Sequence, residues 1–151
     1  MPGAGANPSA DGPRAALGAT QYGDPMDWTS WAQRLEYALG PEGDFPSFFA
    51  PGALFSDPVN EPTSDLAAIE EMTKASFPDW RQEITWVHGD DHGGAFEWIG
   101  RGTLGGTIPI EIHGSTVVDV DAEGLVTRWR DYFDLHQIDE QVSAHAGTAT
   151  G

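Results

Sequence analysis

The sequence has 151 residues, the length of one ordinary domain, and carries 24 Asp and Glu against 7 Lys and Arg for a formal charge of −17. That balance excludes a nucleic-acid binder, which needs a basic footprint, and a polybasic contact to anionic lipid. With no cysteine there is no disulfide framework, thiolate metal site or thiol nucleophile, and no run reaches the roughly 18 apolar residues of a membrane span.

Residues 1–23 read as a disordered tail. Ala, Gly and Pro dominate them, and the large apolar side chains are Met1, Leu17 and Tyr22. Such a stretch cannot bury enough surface to offset its ordering entropy. It also lacks the apolar core of a secretory signal, so the expectation is a cytoplasmic protein with one domain over residues 24–143. Residues 144–151 read as a flexible tail.

The first folded element is a helix. Asp24 is the expected N-cap and Pro25 suits the first turn. Trp28, Trp31, Leu35 and Leu39 recur at helical spacing, and Gly40-Pro41 stops the run. A short helical segment through Phe45, Phe48 and Phe49 is expected next, ended by Pro51-Gly52. Leu54 to Pro58 reads as a short strand or an extended lead into a loop. Thr63-Ser64-Asp65 caps a second helix with Leu66, Ile69, Met72 and Phe77 on one side, and Pro78 ends it.

From Trp80 onward the period changes to two. Strands are expected at about 81–88, 94–104, 108–120 and 125–135. The connections Gly89–Gly93, Gly105–Thr107 and Asp121–Gly124 are rich in hairpin residues, so these strands should be antiparallel neighbours. Helices first and long strands afterwards make an α+β pattern, with the helices on one face of a curved, mostly antiparallel sheet. Gln137 to Ser143 is expected to form a last helical turn.

The final strand splits cleanly. Leu125, Thr127, Trp129, Asp131, Phe133 and Leu135 share the apolar face, and Asp131 is its single charge. A carboxylate there is costly unless it is paired, hydrogen-bonded or protonated. Desolvation should raise its pKa, which makes a carboxyl group useful near neutral pH. A structural Asp held by backbone amides is the competing reading. On the preceding strand Ile108, Ile110, Ile112, Gly114, Thr116, Val118 and Val120 face inward. Glu111, His113, Ser115 and Asp119 lie on a solvated or subunit-facing side. For 94–104 periodicity leaves two choices. Either Glu97, Ile99 and Arg101 enter the cavity with Asp131, or Phe96 and Trp98 line it.

Other motifs are weaker. His88-Gly-Asp-Asp-His92 reads as a hairpin turn before a metal site. The glycines from Gly100 to Gly106 lack the strand-to-helix context of a phosphate loop. No Gly-x-Ser-x-Gly elbow is present.

The string Arg128-Trp-Arg-Asp131-Tyr-Phe-Asp-Leu135 resembles the last strand of limonene-epoxide-hydrolase-like proteins, in the nuclear transport factor 2-like superfamily. That superfamily also holds SnoaL-like polyketide cyclases, ketosteroid isomerases and scytalone dehydratase. The order of elements over roughly 25–143 is similar. The resemblance implies a cone-shaped, cystatin-like fold around a deep apolar pocket, with Asp131 where the hydrolases keep a water-activating acid. It places their Tyr-x-Asn water clamp on Phe55 and Asp57. Their Arg-x-Asp pair falls approximately on Ile99 and Arg101, so the second acid of the hydrolase pair is absent. That departure suits the cyclase and isomerase branches better.

The expected activity is therefore acid/base catalysis without metal or organic cofactor, of isomerase, cyclase or dehydratase type. Asp131 would be the base, Arg101 would balance charge or stabilise a developing oxyanion, and Asp57 would be a second acid/base or position water. Phe55, Trp98, Ile112, Trp129 and Phe133 would contact a small, largely apolar substrate. The alternatives are an epoxide hydrolase, or a noncatalytic binding or dimerising module. A homodimer is expected through the mixed face that carries Arg128, Arg130, Tyr132, Glu111 and His113.

Overall fold

The computed structural model describes residues 25–150, with side chains through 147. The expected tail over 1–23 and the Asp24 cap lie outside the described residues. Helix α1 spans Trp28–Leu39, and its cap is Asp27, whose carboxylate accepts from Ser30 N. Its apolar stripe of Trp28, Trp31, Ala32, Leu35 and Ala38 is buried. The expected helical segment at Phe45 is a single 3-10 turn, Phe45–Phe48. Phe49 already opens strand β1, Phe49–Ser56. Helix α2 spans Leu66–Ser76, with Asp65 accepting from Ala68 N as its cap.

Four long strands follow: β2 Arg81–Gly89, β3 Gly93–Leu104, β4 Ile108–Val120 and β5 Val126–Phe133. The sheet order is β1-β5-β4-β3-β2, antiparallel throughout except that β1 runs parallel to β5. β1 is longer than the Leu54–Pro58 segment expected from the sequence, and it contains Pro51 and Gly52. An edge strand tolerates both. Its register shifts between Phe49 and Leu54, and Gly52 takes a positive φ of 77° there.

The inner face of the sheet is largely as the period predicts, with one break. Val126 is buried and Thr127 exposed, the reverse of the expected pattern, and Leu135 is exposed. A register shift beside Val120 places Thr127 outside the pairing, because Asp119 is opposite Arg128 and Val120 opposite Val126. A bulge inverts the alternation on its N-terminal side. Beyond it, Trp129, Asp131 and Phe133 face inward as expected.

For β3 the structure selects Phe96 and Trp98 as the inward residues, with Gly100 buried beside them. The glycines are indole seats. A Cβ on Gly100 would collide with the Trp80 ring, and one on Gly114 with the Trp98 ring. At the other end, a Cβ on Gly89 would fall 2.6 Å from the Trp28 ring. Trp28 Nε1 also donates to Asp90 O at 3.2 Å, tying α1 to the β2–β3 turn. In that turn the Asp90 carboxylate accepts from His92 N and Gly93 N, so the His88–His92 motif is a hairpin turn.

The last helix, α3, spans His136–Thr150. It is longer than the turn expected over Gln137 to Ser143 and runs on through residues 144–150. The added residues carry Ala at 144, 146 and 149, a propensity signal without apolar periodicity. α3 covers the part of β4 that β5 leaves unpaired beyond Gly114. The Gln141 carboxamide accepts from Glu111 N at 2.8 Å and donates to Glu111 O at 2.7 Å. Gln137 does the same for His113, at 2.9 and 3.0 Å. Two side chains one helical turn apart thus stand in for the missing strand. Gln141→Ala is expected to speed amide hydrogen exchange at Glu111 while leaving Val117 protected; unchanged exchange at Glu111 would contradict this edge-capping role.

Candidate functional site

A cavity of about 220 Å³ lies between the inner sheet face and the three helices. Its wall includes Phe55 from β1, Trp98 from β3, Ile112 from β4, and Trp129 and Phe133 from β5. All five expected substrate contacts therefore meet in one place. Trp80, Ile69 of α2 and Ile138 of α3 add to the apolar wall.

Asp131 enters this wall half-buried. It is opposite Thr116 on β4, and the Thr116 side chain is fully buried. Thr116 Oγ1 donates to Asp131 Oδ1 at 2.5 Å and accepts from Trp98 Nε1 at 2.8 Å. Burial pushes the Asp131 carboxyl up to about 7. The Thr116 hydroxyl and then the Trp129 indole oppose that rise, and the Asp57 charge adds a smaller upward push. The Trp129 N–H acts on the carboxyl without making a formed hydrogen bond.

Asp57 also lines the cavity, just past β1. Its oxygens are occupied: Oδ1 accepts from Val59 N at 2.9 Å and from Asn60 N at 2.6 Å, and Asn60 Nδ2 reaches both oxygens. The carboxylate locks a loop that returns to pair Thr63 with Phe55. Geometrically it is a loop anchor that lends charge to the cavity.

Arg101 is elsewhere. It lies half-exposed on the outer sheet face, bonded to Glu83 at 3.1 Å and Glu111 at 3.0 Å. Those two partners hold its pKa up, while His113 and then Arg101 hold Glu111 down. The expected charge-balancing role fails for a register reason. β3 offers its even-numbered residues to the cavity, so Glu97, Ile99 and Arg101 all point outward. The matching of Ile99 and Arg101 to an inward Arg-x-Asp pair fails with it. Among the described residues, the Lys or Arg of the cavity wall is Lys74, at 3.4 Å from Glu70.

Thr116 and Gln82 are the site residues that sequence reasoning missed. Thr116 was legible as an inward residue, but counting back from the Asp121–Gly124 turn sets it opposite Trp129; the register shift beside Val120 is what brings it opposite Asp131. Gln82 lines the cavity from β2, and its Oε1 is buried with no partner among the described residues. No local signal marked it. Among the described residues no group of three or more His, Asp or Glu side chains is placed to hold a metal ion. No helix among them is long and apolar enough to cross a membrane.

The raised Asp131 pKa makes stability depend on pH. The unfolded chain ionises this group near 3.8 and the folded protein near 7, so the folded state binds the extra proton between those values. This group therefore destabilises the protein increasingly as pH rises through that window, by at most on the order of 4 kcal/mol above it. Asp131→Asn removes this dependence. Denaturant titrations from about pH 4 to about pH 8 should show the variant gaining steadily on the wild type. A difference that does not vary with pH would contradict the raised pKa.

Residues 40–129 match a family described as SnoaL-like domain. No curated protein matches the sequence. Among solved structures, a hypothetical protein with a ketosteroid isomerase-like fold from Catenulispora acidiphila DSM 44928 superimposes with a TM-score of 0.65 at 17% identity, over 73% of this chain and 89% of its own. IdmH from Streptomyces antibioticus, described as a candidate polyketide cyclase, gives 0.65 at 18% identity, over 78% and 99%. An epoxide hydrolase of the limonene-epoxide-hydrolase-like type from M. tuberculosis gives 0.64 at 17% identity, over 79% and 91%. These likenesses establish a shared α+β fold.

Proposed function

This chain belongs to the SnoaL-like domain family of the nuclear transport factor 2-like superfamily, and from that premise we propose that it is an acid/base enzyme of isomerase, cyclase or dehydratase type. The observation that carries the reading is the Asp131 carboxyl, set in the wall of a largely apolar cavity against the buried Thr116 hydroxyl, where burial pushes its pKa up to about 7. At about 7 both its forms are populated in a neutral cell. One group can then take a proton as carboxylate and return it as acid.

The step needs no cofactor. The Asp131 carboxylate takes a proton from a substrate carbon beside a carbonyl, and the C–H electron pair moves toward the carbonyl oxygen. The protonated carboxyl then delivers that proton to a second substrate atom and is regenerated. Trp98, Trp129 and Phe133 hold the substrate and exclude water. The cavity, at about 220 Å³, is below the roughly 300–1,000 Å³ of common ligand sites, so the substrate is small. Opening of a small epoxide is the second reading. It is favoured by Asp57, which puts a second carboxylate in the same wall.

The probe is 3-cyclohexen-1-one, whose conversion to the conjugated ketone requires one proton moved between two carbons. We expect kcat/KM to rise with pH and level off above about 7, because the base must be ionised. Asp131→Asn should lower it by roughly 10²–10⁴, the worth of a positioned base. Turnover that survives this substitution overturns the reading.

We further propose that the outer sheet face pairs with a second copy. It exposes Trp86 and Tyr132, 50% and 54% accessible, beside the Glu83, Arg101, Glu111 and His113 cluster. A mixed apolar and charged face of this kind suits a self-complementary contact. Sedimentation velocity at micromolar concentration should show a dimer, and Trp86→Glu should shift it to monomer. A wild-type protein that sediments only as monomer contradicts the pairing.

A further inference from the structure

We propose that Trp98 and Thr116 form a one-way hydrogen-bond relay that holds Asp131 by Oδ1, so that protons enter and leave through Oδ2. The functional consequence rests on the acid/base reading of Asp131 above; the relay itself rests on geometry. Both relay residues are positioning residues, since neither exchanges a proton with substrate.

The direction follows from the donors available. An indole N–H can only donate, and a hydroxyl has one proton to give. Trp98 Nε1 donates to Thr116 Oγ1, so that oxygen is an acceptor on one side. Its single proton is directed to Asp131 Oδ1. A proton on Oδ1 would reverse the second bond. Thr116 would then accept twice, and its own proton would need another acceptor. Its side chain is fully buried, and a buried donor left unmatched is costly. The proton of the neutral acid therefore resides on Oδ2.

The fixed end of the relay is unusually well held. Trp98 is 3% exposed. Its ring rests against Gly114, where any Cβ would displace it. It meets the Phe133 ring edge-on at 5.9 Å and the Trp80 ring at 6.5 Å. The indole cannot swing away without vacating that packed space, so the polarity of the chain is set by the core. Among the described residues, the other ionisable groups of the cavity wall are Asp57, Glu70 and Lys74. Of these, Asp57 acts on Asp131 through its charge.

The arrangement gives the base a constant shape. Thr116 donates to Oδ1 whether Asp131 is charged or neutral, so neither relay bond is remade when a proton arrives. A site that does not reorganise between its two protonation states is preorganised for proton transfer. In the forward step the substrate C–H bond breaks and an O–H bond forms at Oδ2. In the return step that O–H bond breaks and the proton bonds to the second substrate atom, restoring the carboxylate. Substrate must therefore present its acidic proton to Oδ2.

The test is the titration of Asp131 itself, read without turnover. Difference infrared spectroscopy of the carboxyl stretch, with Asp131→Asn as blank, gives its midpoint in each variant. Thr116→Val is close in shape and lacks the hydroxyl, so the midpoint should rise by about one pH unit, the effect of one donor on a carboxylate. Thr116→Ser should restore the wild-type midpoint. Trp98→Phe frees the hydroxyl to turn and accept from the neutral acid, so the midpoint should rise by a smaller amount. A midpoint unmoved in Thr116→Val overturns the relay. A midpoint that moves in Thr116→Val but not in Trp98→Phe overturns the one-way character. The functional reading is separable: if the midpoints move as stated while the pH profile of turnover on 3-cyclohexen-1-one stays in place, the relay stands and Asp131 is not the base.

Discussion

An indole lying against a glycine sets the inner face of this sheet. Trp98 can occupy its place because Gly114, on the neighbouring strand, has no side chain. From there its N–H meets Thr116, and Thr116 meets Asp131. The same principle recurs at Gly100 under Trp80 and at Gly89 and Gly94 under Trp28. Each glycine gives up local β propensity, and each returns a flat seat for a large ring. The aromatic rings then interlock: Trp129 contacts Phe45, Phe49, Phe55 and Phe96 within 6.2 Å. A core of this kind fixes ring orientation, and ring orientation is what aims an N–H.

The large negative charge of the chain says little about this site. Most acidic groups stand outside, where pairs such as Arg101 with Glu83 and Glu111 are solvated and add little stability. The environment, not the count, separates Asp131 from them. Glu111 is pulled down by its neighbours His113 and Arg101, while Asp131 is pushed up by burial. The two residues lie on adjacent strands of one sheet and face opposite ways. Two carboxyl groups with opposed shifts on opposite sides of a sheet show that the face of a strand, more than its neighbours in sequence, decides the chemistry.

This also explains what could be read in advance. The strand 125–135 announced Asp131 because its apolar partners Trp129 and Phe133 are large and unambiguous. The strand 94–104 did not announce its inward face, because two of the four relevant positions are glycines. Their apolar character is lent by Trp80 and Phe77, which belong to a different segment. Without knowing what covers a glycine, periodicity cannot score it, so the side of Arg101 stays open in the sequence and the structure turns it outward, to Glu83 and Glu111. β1 was shortened for a related reason. Its Pro51 and Gly52 look like a stop, and its parallel partner β5 lies far along the chain, so nothing local signals the pairing. Thr116 was visible as an inward residue, but its role depends on register across a hairpin.

The end of the sheet shows how fold and site are coupled. β4 outlasts β5, and the residues from Ile108 to His113 would present free backbone groups on that side. A further strand would pair them but would also extend the sheet flat past the cavity. The chain instead turns after Phe133 into α3, and Gln137 and Gln141 supply the missing donors and acceptors from a helix. A helix can do this while carrying a second face. Ile138 and Val142 of α3 pack on the core, and Ile138 also lines the cavity. Satisfying the β4 edge and walling the site are therefore done by one element. The amide pairs fix the helix along β4, and with it the place of Ile138 in the cavity wall.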